Sequence, residues 1–235
     1  MTYKIHRYQM KKILTFIVLP AIIVVLGVLI VKSVQEPVNF KNDREKREKV
    51  AVQILKDIRT LQVAYKGHYG KYTPSIDSLL DFYNNGQIII TKQIGSMDDS
   101  VAVANTEALR KKNRKITPEE MYQIYTEQGI NLVLSIDTPI PVKDTLLKRE
   151  DFNPELLKTI PFSDGKPIIM NAVVKMVSGV EVPLFEACMP FNDLLKGLNH
   201  QLIVNLNAER NDTGRYPGLK VGSVDAPNNN AGNWE

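Results

Sequence analysis

Cysteine and histidine are the scarcest chemistry-bearing residues of this chain, with one Cys and three His in 235 residues. A single thiol excludes an internal disulfide and any cysteine-based metal cluster. His6, His68 and His200 lie too far apart in sequence to form an H-x-x-x-H or H-E-x-x-H metal pair. No phosphate-cradling G-x-x-x-x-G-K-S/T loop, G-x-G-x-x-G turn or G-x-S-x-G nucleophile elbow occurs. The adjacent carboxylates Asp98-Asp99 and Glu119-Glu120 read as surface or helix-capping groups. Asn205, Asn207, Glu209 and Asp212 gather oxygens of the kind calcium uses, but without the spacing of a calcium-binding loop. The expectation is no catalytic residue, no metal and no cofactor. Cys188, within VPLFEACMP, reads as a small core residue on a strand.

Excess positive charge is also missing from the bulk of the chain, although the sequence pI is near 9.0. Residues 1–34 carry +5, and taking this from the formal +4 of the whole leaves −1 on residues 35–235. A nearly neutral body does not imply a phosphate-binding surface, so nucleic acid is not an expected partner.

What the chain does have is an unbroken apolar run. Residues 13–31, ILTFIVLPAIIVVLGVLIV, contain no charge, and Thr15 is their one polar side chain. At 1.5 Å per residue the run spans roughly 28 Å, close to the hydrocarbon thickness of a bilayer. Ile13, Phe16, Pro20 and Val31 mark its course; proline is tolerated in a membrane helix, where neighbours satisfy the freed backbone groups. A secretory leader has a shorter apolar core followed by small residues, whereas Lys32-Ser33-Val34-Gln35-Glu36-Pro37 follows here. An uncleaved anchor is the expectation. Lys4, Arg7, Lys11 and Lys12 precede the run without any acid, which favours a cytoplasmic N-terminus and export of the remainder.

The expected organisation is a cytoplasmic tail over 1–12, an anchor over 13–34, a linker over 35–40 broken at Pro37, and an exported α+β domain over 41–235. Within that domain, residues 41–129 read as mainly helical, 130–220 as β-rich, and 221–235 as a coil tail. Apolar Ala51, Ile54, Ile58, Leu61 and Tyr65 alternate by three and four, the stripe of an amphipathic spine helix that Gly67 and Gly70 stop. This stripe is the expected interaction face, buried on the domain's own sheet or on a partner.

Thr73-Pro74 reads as the start of a short helix with Ile76, Leu79, Leu80 and Tyr83 inward. Residues 87–94 read as a strand whose three consecutive isoleucines suggest burial on both faces. Residues 95–116, holding five Lys or Arg between positions 110 and 115, read as a solvated excursion. Thr117-Pro118-Glu119-Glu120 opens another helix. Further strands are predicted at 132–136, 143–147, 167–177, 182–188 and 202–206, with Ser178-Gly179 as a hairpin turn and one helical turn at Asn153-Pro154. Helices first and a mainly antiparallel sheet after make an α+β fold.

From residue 55 to 86 the chain reads LKDIRTLQVAYKGHYGKYTPSIDSLLDFYNNG. Gln62, Ala64, Tyr65, Gly70, Tyr72 and the Leu79-Leu80 pair, after an apolar helix containing Pro20, resemble type IV pilins and the pseudopilins of type II secretion. That resemblance implies a spine helix packed on an antiparallel sheet, a membrane half that bundles with other copies, and assembly on an inner-membrane platform. The peptidase segment that precedes the apolar run in that family is not present: Tyr8-Gln9-Met10-Lys11-Lys12 stands in its place. The anchored platform proteins of the same machines match the architecture equally well. The expected function is thus a single-pass inner-membrane interaction subunit with a periplasmic domain. Its expected partners are the lipid bilayer and other envelope proteins or copies of itself. An anchored ligand-binding or sensing domain is the alternative, and an anchored hydrolase the third.

Overall fold

A computed structural model of the chain describes residues 18–235, so Ile13 and Phe16 of the expected span lie outside the described residues. Its first element, α1, runs without a break over Leu19–Tyr69, 51 residues or about 76 Å. Pro20 sits in its first turn, where the missing N–H costs nothing. Pro37 lies inside the helix, so the expected linker over 35–40 does not form. The hydrogen bond that Pro37 deletes falls on the carbonyl of Ser33, in a stretch open to its surroundings. Strong helix formers follow at once, and Arg44–Glu48 at 3.3 Å and Lys46–Asp43 at 3.3 Å brace the next two turns. Gly67, expected to help stop the helix, lies inside it; Gly70, left-handed at φ 73°, ends α1 by donating its N–H to the Lys66 carbonyl.

Helix α2 (Ile76–Asn85) starts two residues later than Thr73-Pro74 suggests. Thr73 is buried and its backbone is engaged elsewhere, so Ser75 becomes the N-cap and its hydroxyl accepts from the Ser78 N–H at 3.3 Å. Leu79, Leu80 and Phe82 are its buried residues.

Strand β1 (Gln87–Ile94) pairs antiparallel with β2 (Leu134–Pro141) in a two-stranded ribbon. The expected burial on both faces is not found, because among the described residues no third strand or helix covers the middle of the ribbon: Ile89 is 67% exposed. The far end is covered by helices α3 (Ser100–Lys112) and α4 (Pro118–Gln128), and at the near end Ile88 packs against the main core. Helix α3 occupies what reads in sequence as a solvated excursion. The Asp99 carboxylate caps it at the N–H groups of Val101 and Ala102, and only Ala102 and Thr106 are buried, too thin a stripe to read. Helix α4 carries the expected capping box between Thr117 and Glu120. Ile94, Met121, Leu132, Leu134 and Ile136 form this lobe's own small core.

The main lobe holds a three-stranded antiparallel sheet in the order β3-β4-β5, from β3 (Ile169–Val177), β4 (Val180–Pro190) and β5 (Gly218–Gly222). Ser178 (φ 51°) and Gly179 (φ 83°) make the two-residue β3–β4 turn, both left-handed as its geometry requires. Three expectations fail in this part of the chain. Residues 143–147 hold a 3-10 turn (Val142–Asp144) instead of a strand. Residues 202–206 belong to helix α6 (His200–Asp212), because Ile203 and Leu206 are buried at helical spacing and Asn199 caps the helix. Part of the expected coil tail is β5, which is itself bridged to Gly232. A single turn of helix, α5 (Phe191–Leu194), links β4 to α6. The result is mixed helix and antiparallel sheet, the expected α+β class.

Candidate functional site

The residues expected to matter sit on one helix with two different halves. From residue 19 to 39 no side chain of α1 is buried, and the apolar ones face outward all round: Ile30 is 66% and Val24 65% exposed. Pro20 and Val31 lie on this uncovered arm. Burying a Val, Leu or Ile side chain is worth about 1.5–3 kcal/mol relative to water, so an arm of this composition has a strong drive into an apolar phase. It is the one helix among the described residues long and apolar enough to cross a membrane.

The other half is built into the domain. Ala51, Ile58 and Leu61 are fully buried and Ile54 nearly so, packed with Phe185, Met189 and Val221. Tyr65 is half-buried, its ring 4.5 Å from Tyr69 and 5.3 Å from Phe82, edge-on to the latter. The five stripe residues therefore cover the chain's own sheet and α2.

Between the halves the domain grips α1 close to the apolar arm. Glu36, just beyond Val31, accepts from the Asn199 side-chain amide at 2.6 Å. Arg47 donates to the carbonyls of Leu194 at 3.1 Å and Lys196 at 2.8 Å, satisfying the end of α5, and lies over the Phe162 ring. Helix α6 runs beside this stretch, from Asn199 at Glu36 to Arg210 near Glu48. Burial raises the Glu48 carboxyl above its ordinary range, against the opposing pull of Arg44 and Arg210.

Two polar residues are buried along the stripe: Asp57, which sequence reading did not single out, and Gln62, which it named only for the resemblance. Asp57 is 2% exposed on α1 and receives both terminal nitrogens of Arg149, together with the Gln53 amide at 3.0 Å. Arg149 also reaches Asp151 at 2.9 Å, and the bond to Asp57 holds its guanidinium above its usual range. Gln62, 0% exposed, clamps Thr73: its amide donates to the Thr73 carbonyl at 2.6 Å and accepts the Thr73 N–H at 3.1 Å. Tyr72, beside the clamp, accepts at its hydroxyl from Asn230 at 3.0 Å. Gln62, Tyr65, Gly70, Tyr72 and Leu79-Leu80 thus converge on the corner where α1 turns into α2. The sequence signal for Asp57 was an acid at a core position of the helical stripe; nothing in the sequence pointed to Arg149.

The chemistry available is thin. Among the described residues no group of three His, Cys, Asp or Glu is placed to hold a metal ion. Asn205 and Asn207 are spent on neighbouring amides, Gln201 at 2.9 Å and Asn192 at 2.7 Å. Cys188 is buried on β4, and desolvation pushes its thiol up to about 12. Its neighbour Tyr216 is raised for the same reason first. An open cleft of about 490 Å³ lies between the ribbon end and α3, lined by Ile94, Met97, Thr106, Glu107 and Arg110 among others. Its charged lining is one carboxylate and one guanidinium.

Compared with known proteins, the chain matches no family model, no curated protein and no solved structure.

Proposed function

We propose that the chain is a single-pass inner-membrane protein whose periplasmic α+β domain makes structural contacts within a bacterial envelope assembly of the secretion or pilus kind. One observation carries this reading. A single helix is apolar and uncovered at one end, and at the other forms the spine of a folded domain. The positive N-terminal flank favours a tail on the cytoplasmic side.

The same continuity supports a pilin-like architecture, in which a spine helix passes from bilayer to sheet. The residues of the resemblance also have defined work at the α1–α2 corner, which accounts for their occurrence without any catalytic role. The strongly shifted thiol is buried and its partner phenol half-buried, both away from the open cleft, and this favours an interaction subunit over an anchored hydrolase.

Alkaline carbonate extraction of membranes, followed by N-terminal sequencing, tests the anchor. Retention with an intact N-terminus is expected; release, or a start beyond Val34, overturns it. Gentle solubilisation and affinity capture test the assembly, and recovery of the monomer alone would count against it.

A further inference from the structure

We infer that the outer edge of β3 is a slot for one extended, acidic-flanked segment of a different envelope protein, added as a fourth strand to the main sheet. In the β3–β4 hairpin a two-residue turn makes Val177–Val180 a hydrogen-bonded pair, and alternation then turns the N–H and C=O of Lys175 and Val173 toward β4 as well. The register agrees on the other side of β4: Gly222 and Lys220 bond outward to Ala231 and Asn233, so Val221 and Leu219 face Ala187 and Met189. The N–H and C=O groups of Met170, Ala172, Val174 and Met176 consequently point away from the sheet.

The start of this edge is covered, since the Ile168 N–H reaches the Lys158 carbonyl at 3.3 Å. From Met170 onward, among the described residues, no backbone partner is found for it. The side chains beyond the core remain open, with Val174 54% and Met176 66% exposed. Alongside the edge lies a groove of about 320 Å³ between Ala172 and Val174 on one wall and Tyr65, Tyr72 and Pro74 on the other.

Only polypeptide in extended form satisfies alternate outward main-chain groups, and the groove, lined by tyrosine, threonine and lysine as well as Ala172 and Val174, takes the side chains of one face of such a strand. Two cations stand beside it: exposed Lys71 lines the groove, and Lys66 stands over the Tyr72 ring. They suit acidic residues beside the apolar stretch. A second copy does not fit. Two β3 edges pair antiparallel about a two-fold axis normal to the sheet, which reverses every direction lying in the sheet plane. Helix α1 packs along the sheet face, so the two anchors would point in opposite directions and could not share a bilayer. This exclusion rests on the anchored reading; the free edge and groove do not.

The test uses the full chain in nanodiscs and a synthetic nine-residue peptide alternating valine with threonine, with glutamate at each end. Amide shifts and slowed exchange at Ala172, Val174 and Met176 on peptide addition are expected, and absence of binding overturns the inference. Val174 faces Pro183 and its N–H points outward, so Val174→Pro spares the β3–β4 ladder. It should weaken peptide binding about fivefold or more, the value of roughly one hydrogen bond; unchanged affinity sinks the proposal. Ala172→Arg, which fills the groove instead, gives the same expectation by a different route, so misfolding of one variant does not decide the matter. Ready disulfide formation between two Val174→Cys chains in the membrane would name a second copy as the occupant and refute the heterologous one. Carbonate release with peptide binding intact would instead break the anchored reading alone.

Discussion

Arg149 brings both terminal nitrogens to the carboxylate of Asp57, a residue 2% exposed in the middle of the spine helix. The pair fastens the loop after β2 to α1 across 92 positions of sequence. Arg149→Ala would leave a buried carboxylate with only the Gln53 amide. A loss of about 3 kcal/mol is expected in urea unfolding, the low end for a broken buried pair because Arg149 is itself a third exposed. The double replacement Asp57→Leu with Arg149→Met should recover most of that loss, since no charge then remains buried.

Gln62 offers a cleaner case, because its partners are main-chain groups. Gln62→Ala strands the N–H and C=O of Thr73 in the interior, with an expected cost of about 2 kcal/mol. Gln62→Glu keeps an acceptor and loses the donor, so its cost should be comparable at neutral pH. Equal stability of Gln62→Ala and wild type by chemical denaturation would remove the clamp from the account.

Cys188 should not react with maleimide or iodoacetamide in the folded protein at pH 8. With its thiol pushed up to about 12, roughly one molecule in ten thousand is thiolate at that pH. The linkage has a definite sign. The unfolded thiol loses its proton near its ordinary value of 9.0 while the folded one keeps it, so the unfolded state gains from rising pH. Stability from this group is complete below pH 9 and is lost progressively toward pH 12. Cys188→Ala should flatten that part of the pH–stability curve.

Ser178 holds φ 51° at the first position of the β3–β4 turn, a conformation that asparagine and glycine adopt more readily. Ser178→Asn is expected to raise stability by about 0.5 kcal/mol, read as a higher thermal midpoint, with the β3 edge unaltered.

Pro37 removes one helical hydrogen bond inside α1 without breaking it. Pro37→Ala should therefore stabilise the helix by about 1–3 kcal/mol and leave the direction of α1 unchanged. Spin-label distances between positions 30 and 44 report that direction; a shift of several ångströms would show that the proline sets a bend.

Where one periodicity ruled, the chain could be read directly. The Ala51–Tyr65 stripe, the Gly70 stop, the Thr117 capping box, the bounds of β1 and the Ser178-Gly179 turn were all legible locally. The misses have physical causes. Residues 202–206 look like a strand because Leu-Ile-Val run together, yet burial of Ile203 and Leu206 alone sets a helical period. Helix α3 hides behind Ala102 and Thr106, a contact face too small and too polar for a hydropathy pattern. Pro37 suggested a break, but its cost is local and the flanking helix formers outweigh it. The Asp57–Arg149 and Gln62–Thr73 contacts are matters of tertiary geometry, which no spacing along the chain encodes. The face of Ala51, Ile54, Ile58, Leu61 and Tyr65 is turned inward, and what it covers is the chain's own sheet and α2.

An unjointed α1 makes the domain answer mechanically to its root. From Val31 to Tyr69 the helix rises about 57 Å, so leaning it by about 5° in a bilayer sweeps the far corner sideways by about 5 Å. Under the proposed anchoring, lipid thickness or crowding around the root would thereby be converted into lateral displacement at the corner that follows Tyr69, since no loop interrupts α1.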